Sequence, residues 1–308
     1  MNVERGFLLL GIIVAITTPA SGQEAAPAPR PASIIAKGAE PIPDFTGNWR
    51  HGSLPWFEPP ASGPGPVTNT SRLNGVSNYD RLVGDDANPI LKPHAAAIVK
   101  KFGEISSAGI TFPNPANQCW PEPVPFIFKH GGMELLQQAD GITQIFNEDH
   151  EVRHVRMNES HPAHVTPSWH GDAVGHYEGD TLVIDTVGIR ADRPYAMIDL
   201  FGTPYTNALH VVERYRLIDH DAAKGALDRD EKENWHPAGI RIDRNYTGKF
   251  LQVELTIEDD GVFTTAWTTT VTYVRDPADW REIVCAENIH EYYYNKDSDV
   301  PRADKPDF

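Results

Sequence analysis

From Met133 to Val274 the chain changes character at every second residue, and that period of two most constrains what it can fold into. Residues 250–258 set Leu251, Val253, Leu255 and Ile257 against Gln252, Glu254 and Thr256. Residues 266–274 set Trp267, Thr269, Val271 and Tyr273 against Thr268, Thr270 and Thr272. Similar runs cover 133–138, 142–147, 151–157, 173–177, 181–187 and 208–218. The joints 139–141 and 178–180 carry Asp-Gly and Gly-Asp, residues of tight hairpins. Seven or eight short strands joined largely as hairpins predict an antiparallel meander, and such a sheet removes its edges by closing on itself. The expectation is a mainly β fold: a lipocalin-like antiparallel barrel with long loops, few short helices and room for one small ligand.

The remaining segments frame that barrel. Pro55, Pro59, Pro60, Gly63, Pro64, Gly65 and Pro66 forbid a regular element, so 50–125 is expected as a Pro-rich excursion. One helix is predicted near 93–102, with Pro93 in its first turn, and another near 222–234. The excursions 190–207 and 219–243 are candidate lids over a barrel mouth.

At the N-terminus, Glu4 and Arg5 precede an apolar run of about ten residues, too short to span a bilayer as a stable helix. Small residues follow in Ala20-Ser-Gly22, so 1–22 is read as a cleaved signal peptide, with an uncleaved anchor as the alternative. Ala and Pro dominate 23–43, a solvated tether, and 44–308 is expected as a single barrel domain. The mature protein is then periplasmic or secreted, with no membrane span. A net charge of −16 argues against nucleic-acid partners. In an oxidising compartment Cys119 and Cys285 are expected to form a disulfide. Closing a loop of about 166 residues, it would contribute roughly 5 kcal/mol by chain entropy.

Chemistry concentrates in one stretch. His150, His154, His161, His164, His170 and His176 lie beside Trp169, Asp172, Glu178, Asp180 and Asp185, although the whole chain has only 13 histidines. Imidazoles titrate near neutral pH, and a carboxylate can orient or charge them, which is the equipment of acid–base catalysis. In 208–218, His210 and Glu213 point to opposite faces, so only one can meet Asp185 on the neighbouring strand; His210 is the expected partner. Pro162 and Pro167 exclude a helix from the loop 160–172, which should arch across one end of the barrel and bring His161, His164, His170 and Asp172 together. Trp169, His176, Tyr215 and Trp267 are the candidate ligand-binding residues.

His161-x-x-His164 with Asp172 or His176 offers ligands suited to zinc, copper or iron, but the spacing matches no established metalloenzyme motif, so no metal is assigned. No Gly-rich phosphate cradle or Gly-x-Ser-x-Gly elbow is present, and no organic cofactor is expected.

The blocks Asp44-Phe-Thr-Gly-Asn-Trp49, Gln118-Cys-Trp-Pro121, Gly175-His-Tyr-Glu-Gly-Asp-Thr-Leu-Val-Ile-Asp-Thr186, Ala208-Leu-His-Val-Val-Glu-Arg-Tyr215 and Val284-Cys-Ala-Glu-Asn288 resemble a large group of exported proteins from soil and aquatic bacteria. The likeness runs from about Asp44 to Phe308 and implies export more than any activity. The opening Gly-x-Trp is also similar to lipocalins. Two functions are carried forward. One is an exported enzyme (lyase, isomerase, cyclase or hydrolase) acting on a small, largely apolar or aromatic molecule. Its proton carriers would be His161, His170 and His210, oriented by Asp172 and Asp185. The other is a non-catalytic carrier using the same pocket.

Overall fold

The computed structural model describes residues 42–276, except 53–55, 130, 148–150, 194, 234–241 and 244. The leader, the tether up to residue 41, His150 and Cys285 lie outside the described residues. Nine strands close into a barrel: β1 (Gly47–Arg50), β4 (Gly132–Gln137), β5 (Gly141–Phe146), β6 (Val152–Met157), β7 (Asp172–Glu178), β8 (Thr181–Val187), β9 (His210–Ile218), β10 (Phe250–Glu258) and β11 (Trp267–Arg275). The Pro-rich excursion adds a two-stranded hairpin, β2 (Arg72–Leu73) with β3 (Val76–Ser77), and the helix α1 (Pro93–Ser107). A second helix, α2 (His220–Glu233), follows β9. The fold is the mainly β, lipocalin-like barrel that the period of two predicts.

Closure depends on the Gly-x-Trp segment. β1 pairs with β4 on one side and with β11 on the other, and Trp49 is fully buried under the Arg275 guanidinium, 4.1 Å from the ring centre. β1 meets β11 only at Trp49 and Arg50. Further along β11, Glu58 of the excursion exchanges two backbone hydrogen bonds with Thr270, covering strand edge that would otherwise invite pairing.

Two expectations need correction. The barrel has nine strands rather than seven or eight. It is also not wholly antiparallel, because β6 and β7 run parallel, pairing Arg156 with Val174 and Met157 with Gly175. Parallel neighbours cannot be joined by a hairpin. The chain from 158 to 171 therefore turns back along the outer wall before β7 begins level with His154. The two presumed lids lie at opposite ends: 188–209 leaves from the Asp172 end, whereas α2 follows the far end of β9.

The interior is the second correction: among the described residues, the inward side chains pack closely against one another. Leu182, Tyr215, Leu251, Val253, Leu255 and Tyr273 point inward and are fully buried. Among them sits a polar knot. Arg153 donates two bonds to the Glu213 carboxylate, at 2.7 and 3.0 Å, and further bonds to Gln144 (2.9 Å) and Thr186 (2.5 Å). Tyr215 donates to Glu213 at 2.6 Å and accepts from Gln144 at 2.6 Å. Burial, and then the Glu213 charge, hold the Tyr215 phenol well above its ordinary range. A buried ion pair needs its remaining donors and acceptors satisfied; this one is bidentate with neighbours on four strands, and Arg153 Nε alone of the guanidinium nitrogens is buried without a partner among the described residues. Tyr215 and Trp267, expected to contact a ligand, are packed core residues, 0% and 2% exposed.

Arg153→Met should lower unfolding free energy by about 3–5 kcal/mol, because Glu213 is left charged and unpaired. Adding Glu213→Leu should restore most of the loss. Urea denaturation of the three proteins tests this; a single-variant cost below about 1 kcal/mol would refute the structural role given to the pair.

Candidate functional site

The crossing loop brings together four of the five expected catalytic residues. Gly171, at φ +73°, permits its approach, since a Cβ there would lie 2.6 Å from the Val187 carbonyl oxygen. Ser168 is fixed at the same end: its N–H donates to the Gly188 carbonyl at 3.1 Å, and its own carbonyl accepts from Arg190 at 2.9 Å. The loop thereby lays His161 against the wall. His161 Nε2 is 3.0 Å from Asp185 Oδ1, and its Nδ1 is 3.3 Å from Asp172 Oδ2. From β9, His210 Nε2 reaches the same Asp185 Oδ1 at 3.1 Å, while its Nδ1 is 3.4 Å from Glu258. Arg156 closes the series with two bonds to Asp172 at 2.6 and 2.9 Å.

The array Arg156–Asp172–His161–Asp185–His210–Glu258 thus runs across the outer faces of five strands. That is the reverse of the expected placement, in which these groups furnish the barrel's interior or mouth. The physical reason is register: Leu182, Ile184 and Thr186 take the inward face of β8, so Asp185 faces outward. His161, Asp172, Asp185 and His210 have side chains 17–36% exposed, open enough for a solute to reach them.

The chemistry of the array follows from counting protons. Carboxylates accept hydrogen bonds but do not donate them, and a neutral imidazole has one N–H. Each ring faces a carboxylate through both nitrogens, so only the doubly protonated ring satisfies both contacts. Losing a proton from either ring breaks one bond, and gaining it restores that bond. Asp185 Oδ1 couples the two rings because it is the acceptor they share.

The other expected residues are placed elsewhere. His170 sits on the loop near the barrel end, with Nε2 3.2 Å from Glu151. Glu151 in turn accepts from the Glu122 N–H at 2.9 Å, and Lys129 lies 3.1 Å from the Glu122 carboxylate. Burial, followed by the Arg153 charge, lowers the His170 pKa to about 4. That shift keeps His170 mostly neutral at neutral pH, beside Glu151 and apart from the array on the wall. Trp169, partly buried, has the guanidinium groups of Arg193 and Arg190 over its ring, 4.6 and 5.4 Å from the centre. His176 stands on the outer wall, 3.1 Å from Glu178, and is half exposed. Arg214, then His176, keep the Glu178 carboxyl below its usual range. Cys119 ends a 3-10 turn (Ala116–Gln118) in left-handed conformation at φ 52°, and no cysteine among the described residues is free.

Comparison with models of known families, with characterised proteins and with solved structures finds no match. The site therefore stands on its own geometry. Sequence reasoning missed Arg156 and Glu258, which complete the array. Both were readable from strand alternation as same-face neighbours of His154 and Thr256 respectively.

The depressed His170 pKa makes the fold acid-sensitive in a defined window. Its stabilising contribution is complete above the unfolded value of 6.5 and is lost as pH falls toward about 4. The loss amounts to about 3 kcal/mol. His170→Asn keeps a donor toward Glu151 without a titrating ring, so its stability should fall less between pH 7 and pH 4. Parallel unfolding curves for the two proteins over that range would contradict the assignment.

Proposed function

We propose that the protein is an exported enzyme that moves protons on a small, largely apolar or aromatic organic molecule at the outer-wall array. His161 and His210 are the proton carriers, and Asp185 and Asp172 orient them. The observation that supports this reading is the sharing of one oxygen: two imidazoles from different segments, both within 3.1 Å of Asp185 Oδ1. With one ring protonated and the other neutral, the pair holds an acid and a base side by side. That combination serves enolisation, elimination or hydrolysis, in which one atom loses a proton while another gains one. The reading requires no organic cofactor. Export and the Cys119–Cys285 bridge belong to the same proposal, supported by the leader-like N-terminus and by the even cysteine count.

A carrier that holds its ligand in a lipocalin-like lumen has less support, since inward side chains fill that space. Native mass spectrometry of protein purified from the periplasm should identify a bound small molecule, and that molecule is then the assay substrate. His161→Ala, His210→Ala and Asp185→Asn should each lower kcat by about 100-fold or more while leaving ligand affinity within a few-fold. Unchanged turnover in all three variants would sink the array as a catalytic centre.

A further inference from the structure

Outside the barrel, the Pro-rich excursion, the turn Phe126–Lys129, residues 198–201 and α2 enclose a cavity of about 160 Å³. Four aromatic side chains line it, Trp56, Phe57, Phe126 and Phe201, with Trp56 and Phe201 tilted at 55° and 6.1 Å apart. Three cations also reach it, and each already has a carboxylate. Arg72 is 2.7 Å from Glu233, Arg229 is 2.9 Å from Glu58, and Lys129 is 3.1 Å from Glu122.

Asp199 is different. It lines the same cavity, is 7% exposed, and has no cationic partner among the described residues. Its Oδ1 accepts from the backbone N–H groups of Phe201 (2.8 Å) and Thr203 (3.1 Å). No bond among the described residues ends on Oδ2. Burial pushes the carboxyl up to about 6 in spite of those two backbone donors and of the Thr203 hydroxyl, which also favours the charged form. A carboxylate that lines a cavity with one oxygen free of close donors can receive a donor from a ligand, and a hydrogen bond to a charged group adds affinity.

We infer that this cavity binds a small aromatic molecule whose polar end is a hydrogen-bond donor, a hydroxyl or an amine, received by Asp199 Oδ2. An aromatic carboxylate is disfavoured. It would meet the Asp199 charge, and the three nearby cations are already neutralised. The inference is independent of the outer-wall array, which shares no residue with the cavity.

The test is calorimetric titration of the full chain at pH 8 with 2-naphthol and 2-naphthoate, which present the same rings with opposite polar ends. Wild-type protein should bind the naphthol at least roughly tenfold more tightly, the worth of one hydrogen bond to a charged group. Asp199→Asn keeps an oxygen for the two backbone donors but turns an amide N–H toward the cavity, so the preference should reverse. Thr68→Trp, at an exposed lining position, should abolish binding of both. Equal or stronger naphthoate binding by the wild type, a preference untouched by Asp199→Asn, or binding that survives Thr68→Trp would each overturn the inference. Failure to bind either probe would overturn it as well.

Discussion

The Arg153–Glu213 ion pair is the interaction on which the rest of the architecture depends. Its donors and acceptors tie β5, β6, β8 and β9 together through Gln144, Thr186 and Tyr215. A one-residue slip of any of these strands would carry its polar member to the outer face and leave the others buried without partners. The knot therefore selects one register as strongly as the surrounding hydrophobic side chains do. It also occupies the space in which a lipocalin-like barrel would hold a ligand.

With inward positions packed, the two candidate sites lie on outer surfaces. One is the array on the wall, assembled by the crossing loop and the outward faces of the strands. The other is the aromatic cavity, assembled by the Pro-rich excursion against α2. The excursion has several tasks at once. It covers the β11 edge at Glu58, seats α1 through Ala95 and Val99, and supplies the Trp56 wall. Its prolines and glycines suit this use, because irregular chain can follow a curved surface where a helix or strand would not.

Most of the strand framework was legible from alternation, because each strand packs one face on a single core. The same alternation already placed Arg153 with Val155 and Met157, and Glu213 with Val211 and Tyr215, so the buried pair was visible as two charges on apolar faces. The side taken by Asp185 was harder to read. Both faces of β8 are apolar, Val183 being 3% exposed on the outer one, and periodicity cannot choose between two buried faces. Asp199 left a fainter signal: one carboxylate inside Met197-Ile-Asp-Leu-Phe201, a run otherwise apolar. The parallel step between β6 and β7 had no local signal, because loop length and prolines fix neither direction nor path.

That parallel step follows from counting. Going once round a closed sheet, each antiparallel junction reverses direction, so a ring of strands can rejoin itself only after an even number of reversals. Nine members leave nine junctions; eight reverse and one must not. The odd strand is therefore inseparable from the long return passage, and the return passage carries His161. Shortening that passage to a hairpin would require the parallel junction to move elsewhere in the ring, or a strand to be added or lost. His161 thus rides on a connection whose length the odd strand count makes necessary somewhere in the ring.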